Sequence, residues 1–236
     1  MIPDEGLSAE DTDLIDNLVA LFERDIGVYV GLAGNLRTLA ETPPLNKLYH
    51  SLRWRVKDPS HLRDKLQRKV RESKKNGTKF DIAPDNLFER INDLAGIRLL
   101  HLHTSEFPEI NAALCELLEE NRYSILEGPE AKTWDEEYRS YFGSIGVKAV
   151  VSERMYTSVH YVVASNTRTK RTAEIQVRTL AEELWGEVDH SINYPHVSKK
   201  LACREQIKVL ARVTSSCTRL VDAIFATHRE DDSPAR

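Results

Sequence analysis

Several sequence features that would assign a function at once are absent from this chain. It has no GxxxxGK[ST] P-loop, no HExxH zinc helix, no GxGxxG turn after a predicted strand and no GxSxG nucleophile elbow. These absences exclude a Walker-type phosphate loop, a zinc-protease helix, a dinucleotide-binding turn and an α/β-hydrolase. There is also no internal repeat and no linker that forces a division, so residues 1–236 are predicted to form one domain.

Cysteine is scarce as well. Cys115, Cys203 and Cys217 form no CxxC pair, which indicates reduced, structural thiols and a cytosolic compartment. The acidic start, MIPDEGLSAEDTDLID, lacks the basic and apolar regions of a signal peptide. No uncharged apolar run approaches the roughly 20 residues of a membrane span. We therefore expect a cytoplasmic protein that does not bind membranes.

The composition indicates a folded, slightly acidic protein. Hydrophobic residues make up 41% of the chain, which is enough for a sizeable core and excludes intrinsic disorder. The net charge of −4 excludes a general attraction of the whole chain to polyanions. A nucleotide site would therefore have to be a local basic patch.

The hydrophobic pattern predicts helices on both sides of a β-sheet. Residues 8–41 have helical spacing, although Gly27, Gly31 and Gly34 leave one helix or two as alternatives. Further helices are predicted over 60–76, 105–121, Leu180 to a break at Tyr194-Pro195, and 198–228. Short runs rich in Ile, Val and Tyr predict strands over 97–103, 147–151, 158–165 and 172–178. Residues 127–146, with weak periodicity, are expected to form a partly ordered insertion.

The predicted fold class is therefore α/β (α+β), a mixed β-sheet flanked by N-terminal and C-terminal helices. We expect its core over about residues 45–196 and helical flanks over 8–41 and 198–228.

Two carboxylates stand at the edges of predicted strands. Asp93 lies in NDLAGIRLL and Glu174 in TAEIQVRT, and Arg98 and Arg178 follow them on the same strands. Period-two alternation places Glu174, Gln176 and Arg178 on one strand face. Carboxylates suit a hard cation and arginines suit phosphate oxygens, so the pattern indicates Mg²⁺-assisted chemistry on a polyphosphate. A turn residue and ordinary solvent exposure are the alternatives.

A basic segment precedes these strands. From Lys57 to Lys75 there are eight Lys or Arg against three acids, and His61, Lys65 and Arg68 share one helical face. Such a face can clamp a triphosphate, and the alternative is a solvated surface helix.

The segment MYTSVHYVV places Tyr156, Ser158 and His160 on one strand face. A polar face that carries an aromatic ring can stack a base. An ordinary half-exposed strand explains this segment equally well. The helix predicted after EIQVRT would place Trp185, His190 and Tyr194 along one side of that helix.

Taken in order, RVKDPSHLRDKL, NDLAGIRLL, YTSVHYVV and EIQVRTLAEELWGEVDH resemble the synthetase domain of the RelA/SpoT family over about residues 50–196. The resemblance implies a nucleotidyltransferase-like fold. It also implies transfer of the pyrophosphate of ATP to the 3′-hydroxyl of GDP or GTP, with release of AMP, by an alarmone synthetase.

The resemblance also implies roles for individual residues. Asp93 and Glu174 would be the catalytic pair and the Mg²⁺ ligands, with Glu174 helping to activate the 3′-hydroxyl. The ATP site would comprise Arg55, Lys57, His61, Lys65, Arg68 and Arg98. The acceptor site would comprise Tyr156, stacked on the base, with Ser158, His160, Gln176 and Arg178.

The chain departs from the family pattern at two places. The usual Gly-Tyr-(Arg or Lys)-Ser is Met155-Tyr156-Thr157-Ser158 here, without a cation at Thr157 to face acceptor phosphates. His61 stands where the ATP motif usually has serine. The changed loop leaves an adenosine nucleotide or the 3′ end of tRNA as alternative acceptors, as in toxic relatives. An inactive nucleotide-binding module is a third alternative, which the intact carboxylate pair disfavours. A second copy of the chain and an antitoxin are candidate partners.

Overall fold

The computed structural model describes residues 6–194 and 197–231, with side chains to residue 229. The helices are α1 (Ala9–Ala40), α2 (Pro59–Lys75), α3 (Leu87–Arg90), α4 (Phe107–Glu120), α5 (Glu136–Ser144), α6 (Leu180–Asn193) and α7 (Leu201–Asp231). The strands are β1 (Ser51–Val56), β2 (Ala95–His101), β3 (Ser124–Thr133), β4 (Lys148–Val151), β5 (Ser158–Ala164) and β6 (Thr172–Thr179). Two short 3₁₀ turns lie at Leu45–Lys47 and Thr104–Glu106.

The strands form one six-stranded mixed sheet in the order β1-β2-β6-β5-β3-β4. Strand β2 is parallel to β6 and β3 is parallel to β4, while the other neighbouring pairs are antiparallel. The predicted fold class, a mixed sheet with helices on either end of the chain, is confirmed.

The central strands have one apolar face and one polar face. Ile97, Ile175 and Tyr161 are fully or almost fully buried in the main core, together with apolar residues of α1 and α4. Alternate positions of the same strands carry Arg98 and Gln176, which are only partly buried. Side chains alternate along a strand, so the polar residues of neighbouring strands gather on the face opposite α1 and α4.

Helix α1 is a single helix rather than two. Ser8 caps its first turn, and its apolar face stays buried from Ile15 through Tyr29 to Leu36. This continuous packing outweighs the intrinsic cost of glycine in a helix, which is about 1 kcal/mol per residue.

The expectation of a partly ordered insertion over 127–146 is wrong, because β3, α5 and the start of the loop to β4 occupy it. The register of β3 against β5 shifts on both sides of Glu127. Gly128 has a positive φ of 94° there, and a Cβ would lie 2.3 Å from the carbonyl oxygen of His160. The bulge interrupts the two-residue period that identifies a strand, which explains the missed element. Strand β1 was also missed.

Helix α6 ends at Asn193 with Tyr194 as its C-cap, while Pro195 of the predicted break lies outside the described residues. Helices α6 and α7 pack together through a second apolar cluster around Trp185, Ile207 and Ala211. Among the described residues, no helix combines the length and apolar character needed to cross a bilayer.

Candidate active site

The polar face of the sheet forms the floor of a cavity of about 870 Å³, with walls from β1, α2, α6, α7 and the loop before β5. Arg98, Gln176 and His160 are neighbours across β2, β6 and β5. Arg98 Nε donates to Gln176 Oε1 at 3.2 Å, and Gln176 Nε2 donates to Glu174 Oε2 at 2.9 Å. The floor is therefore a connected polar network built by strand alternation.

Asp93, just before β2, lies at the side of this floor. Its carboxylate accepts from Lys57 Nζ at 2.9 Å and from Lys65 Nζ at 2.8 Å. Burial alone would raise the pKa of Asp93, but the two ammonium groups lower it to about 2. Asp93 is therefore ionised throughout the neutral range, and it holds one lysine from the end of β1 and one from α2.

Glu174 is the second carboxylate of the cavity. His160 Nδ1 lies 2.7 Å from Glu174 Oε1, so both carboxylate oxygens are engaged by neighbours on the floor. Burial would raise the pKa of Glu174, and the nearby charge of Asp93 acts in the same direction. The hydrogen bonds of His160 and Gln176 outweigh these effects and hold the pKa below its usual value, so Glu174 is also ionised.

Asp93 and Glu174 are the carboxylates of the cavity that were predicted to bind Mg²⁺. No group of three or more His, Cys, Asp or Glu side chains suited to a metal occurs among the described residues. The carboxylates of Asp93 and Glu174 still fit Mg²⁺, because this ion is commonly held by one or two carboxylates together with phosphates of a bound nucleotide. His160 Nε2 is buried without a hydrogen-bond partner beside Glu174, which indicates that the floor is completed by a further group.

Tyr156 and Trp185 form the wall on the β5 side of the cavity. Their rings are nearly parallel, at 21°, with centroids 6.1 Å apart, and the ring of His160 lies 6.2 Å from that of Tyr156. Burial raises the pKa of the Tyr156 hydroxyl, so it stays protonated. The indole N–H of Trp185 donates to the carbonyl of Ile207 at 3.1 Å, which fixes this wall to α7.

An arginine network around Glu183 was not predicted. Glu183 Oε1 accepts from Arg53 at 2.7 Å and from Arg98 at 2.8 Å, and Glu183 Oε2 accepts from Arg178. Glu183 thus orients three guanidinium groups from β1, β2 and β6 toward one side of the cavity. The sequence signal was the acidic pair Glu182-Glu183, which Leu180-Ala181 separates from EIQVRT, at the start of the helix predicted from Leu180.

Most of the predicted site residues come together in this cavity. Those that line it are Arg55, Arg68, Asp93, Arg98, Tyr156, His160, Glu174, Gln176 and Arg178. Lys57 and Lys65 form salt bridges with Asp93, which lines the cavity. His61 lies behind Tyr194, with the two ring centroids 5.2 Å apart, and Tyr194 itself lines the cavity.

The expectation that Ser158, the first residue of β5, belongs to the acceptor site is wrong. Ser158 is 2% exposed and lines a small separate cavity, because Glu182 of α6 and Thr218 of α7 cover this end of the strand. Thr157 is also buried, and its hydroxyl lies 2.8 Å from that of Thr133. Its side chain lines the small cavity rather than the large one. Arg154 lines the large cavity instead.

A cavity that joins two ionised carboxylates to lysines and arginines is suited to chemistry on phosphates. The chain belongs to the RelA/SpoT family, because residues 54–199 match the model of the region found in RelA/SpoT proteins. At the family level this is the (p)ppGpp-synthetase type of pyrophosphokinase. No curated protein matches the sequence.

Solved structures share the fold. The small alarmone synthetase 1 of Bacillus subtilis bound to its product pppGpp is 18% identical, with a TM-score of 0.54 over 92% of this chain and 98% of that chain. The protein smu.1046c of Streptococcus mutans is 19% identical, with a TM-score of 0.54 over 89% and 96%. A GTP pyrophosphokinase family protein of Streptococcus pneumoniae is 19% identical, with a TM-score of 0.53 over 95% and 97%.

Proposed function

We propose that this protein is a cytoplasmic, Mg²⁺-dependent pyrophosphokinase that transfers the pyrophosphate of ATP to the 3′-hydroxyl of GDP or GTP. The observation that carries the proposal is the pair of ionised carboxylates, Asp93 and Glu174, in one cavity with cations on both sides. The structures of a relative with pppGpp and with AMPCPP support nucleotides as substrates.

The donor nucleotide is assigned to the β1 and α2 side of the cavity. Arg55 and Arg68 line this side, and Lys57 and Lys65 stand next to them on Asp93. Arg68 is paired only loosely with Glu72, at 3.7 Å, in a half-exposed contact that contributes little to stability. Its guanidinium can therefore turn to a phosphate at small cost. The lysine ammonium groups can donate hydrogen bonds to Asp93 and to phosphate oxygens at the same time.

Asp93 and Glu174 would hold the Mg²⁺ ion, which neutralises negative charge on the transferring phosphates. Glu174 has a second task at the acceptor. Its ionised carboxylate, oriented by His160 and Gln176, can accept a hydrogen bond from the 3′-hydroxyl and help to remove its proton. Charge on the departing and attacking oxygens would be stabilised by the surrounding arginines, which the protein has already oriented.

The acceptor base is assigned to the wall formed by Tyr156. The ring of Tyr156 is packed against Trp185 and stands next to His160, so it is held in place before a nucleotide binds. A rigid aromatic ring in the same cavity as Glu174 would position the nucleoside by stacking.

The test is a product assay with ATP labelled in its terminal phosphates. GDP, GTP, ATP and tRNA are offered in turn, and both the labelled product and AMP are measured. We expect label transfer to GDP and GTP with AMP in equal amount. Transfer to tRNA alone or to ATP alone would assign that molecule as the acceptor in place of GDP and GTP. An absence of AMP release with every acceptor would overturn the proposal.

Asp93→Asn and Glu174→Gln are the matched variants for this assay, since each keeps the size and one carbonyl oxygen of the side chain. Each should lower the rate at least ~10²-fold, the usual scale for a group that stabilises transition-state charge. Circular dichroism must show that the variants fold, because Lys57 is buried against Asp93. Turnover close to that of the wild type would contradict the assigned roles.

A further inference from the structure

Helix α7 lies beyond the part of the chain that matches the family model, which ends at residue 199. It nevertheless contributes to the wall of the cavity through Arg204, Ile207 and Lys208. These positions are spaced i, i+3 and i+4, so they lie on one helical face. Ile207 is buried, and the two cations flank it at the edge of the cavity.

The packing of Ile207 fixes where these cations stand. Ile207 belongs to the apolar cluster with Trp185 and Ala211, and Met155 and Tyr156 of the loop before β5 pack against the same cluster. The hydrogen bond from Trp185 to the Ile207 carbonyl ties the two walls together. Arg204 and Lys208 are therefore placed on the Tyr156 side of the cavity, away from the lysines that hold Asp93.

A cation on the loop itself completes this side. Arg154 lines the cavity, and its positive charge acts on the Tyr156 hydroxyl, where it partly offsets the rise in pKa that burial causes. Thr157, where the family pattern usually has Arg or Lys, is buried against Thr133. Arg154, Arg204 and Lys208 thus lie on the Tyr156 side of the cavity, and none of them is paired with Asp93 or Glu174 in any described contact.

The salt bridge of Lys208 leaves it available for a ligand. Lys208 Nζ lies 2.8 Å from Glu205 one turn earlier on α7, and both side chains are about half exposed. A pair of this kind contributes little to stability because water and salt screen it. The ammonium group can exchange this partner for a phosphate at small cost.

We propose that Arg204 and Lys208 of α7, together with Arg154, bind the 5′-phosphates of the acceptor nucleotide. Helix α7 would then determine the preference for acceptors that carry a 5′-diphosphate or triphosphate. This inference rests on the proposed function, since it names the part of the acceptor that the C-terminal helix recognises. The phosphate backbone of tRNA is the competing ligand for the same cations.

The experiment compares Arg204→Gln and Lys208→Gln with the wild type, using guanosine, GMP, GDP and GTP as acceptors at saturating ATP. Each variant should raise KM for GDP and GTP about tenfold, the scale of one lost charge-assisted hydrogen bond. The values of kcat and the affinity for ATP should stay unchanged, and guanosine should be used equally by variant and wild type. Arg212→Gln is the control, since Arg212 is exposed on the same helix and does not line the cavity.

Two results would overturn the inference. One is an unchanged KM for GDP and GTP in both variants. The other is an equal loss for guanosine and GTP, which would mean that α7 supports the Tyr156 wall rather than the phosphates.

A direct titration separates this inference from the proposed function. If the wild type uses only tRNA, GTP binding to the wild type and the variants is measured by calorimetry without ATP. If GTP binds to the wild type and the two substitutions weaken this binding, the phosphate site is supported although the proposed reaction has failed. Absence of GTP binding to the wild type would overturn both.

Discussion

Glu182 accepts a hydrogen bond at 3.0 Å from the backbone N–H of Thr157, which joins the first turn of α6 to the loop that carries Tyr156. Glu182 is 3% exposed, and burial raises its pKa to about 7. The Thr157 N–H and the charge of Arg178 oppose this rise, while the charge of Asp135 adds to it. The loop that carries Tyr156 is therefore anchored by a carboxyl group whose pKa is about 7.

Replacing Glu182 with Gln should stabilise the protein in a pH-dependent way. The folded pKa is raised, so the contribution of this carboxyl to stability is complete below the unfolded value near 4.5 and is lost as pH rises through about 7. Gln does not titrate and its oxygen still accepts from Thr157. The advantage of the variant should grow from acidic to alkaline pH by on the order of 2–3 kcal/mol.

Denaturant unfolding of wild type and variant at several pH values measures this difference. Glu119→Gln serves as the control, because Glu119 is exposed on α4 and should give curves parallel to the wild type. Parallel curves for Glu182→Gln would show that the carboxyl does not titrate as described.

Sequence reasoning succeeded where a property is local. The alternation of Ile175, Val177 and Glu174, Gln176 predicts both the strand and its polar face, because side-chain direction in a strand follows from the chain itself. The convergence of Asp93 and Glu174 could not be deduced that way. It depends on the parallel pairing of β2 with β6, which neither strand segment specifies by itself.

The missed contacts are the non-local ones. In the sequence, Glu182 and Glu183 are simply two acidic residues of a helix. Their partners, Thr157 and Arg53, are distant in the chain and are placed beside them by the sheet. Ser158 follows the expected alternation, but the helices that cover the end of β5 remove it from the large cavity. Burial by distant elements is a tertiary property that no local pattern contains.

Gly96→Ala should impair both stability and activity. Gly96 pairs with Glu174, and a Cβ at this position would lie 2.3 Å from the Glu174 carbonyl oxygen. The two strands would have to separate, at a cost of roughly 1–3 kcal/mol for overpacking, and Glu174 would move relative to Asp93. Thermal unfolding and kcat measure the two effects.

Gly143→Ala is the matched control for this substitution. Gly143 lies in α5 with open space around its Cβ position, so alanine there should leave activity unchanged and favour the helix. If Gly96→Ala behaves like Gly143→Ala, the close approach of β2 and β6 does not position the site.

Lys65→Gln should weaken ATP binding. The variant loses one ammonium group on the proposed donor side, worth ~1.5–3 kcal/mol as a charge-assisted hydrogen bond. It also removes one of the two cations that depress the pKa of Asp93, so that pKa should rise from about 2. Asp93 would still be ionised at neutral pH because Lys57 remains.

Calorimetric titration with ATP at neutral pH tests the affinity, and the acid side of the pH–rate profile tests the carboxyl, which should protonate at a higher pH in the variant. Lys75→Gln is the control, since Lys75 is exposed at the end of the same helix. Equal ATP affinity in Lys65→Gln and wild type would leave α2 as a solvated basic surface.

Tyr156→Ala should weaken acceptor binding while sparing ATP. The ring stands between His160 and Trp185 on the proposed acceptor side of the cavity, and the loss of one aromatic stacking partner typically costs ~1–3 kcal/mol. Tyr156→Phe keeps the ring and removes only the hydroxyl, so its KM for GDP and GTP should stay near that of the wild type. The contrast between the two variants separates stacking from any role of the hydroxyl. If Tyr156→Ala folds and its KM for every acceptor is unchanged, the base lies elsewhere in the cavity, and the assignment of the acceptor to this wall is wrong.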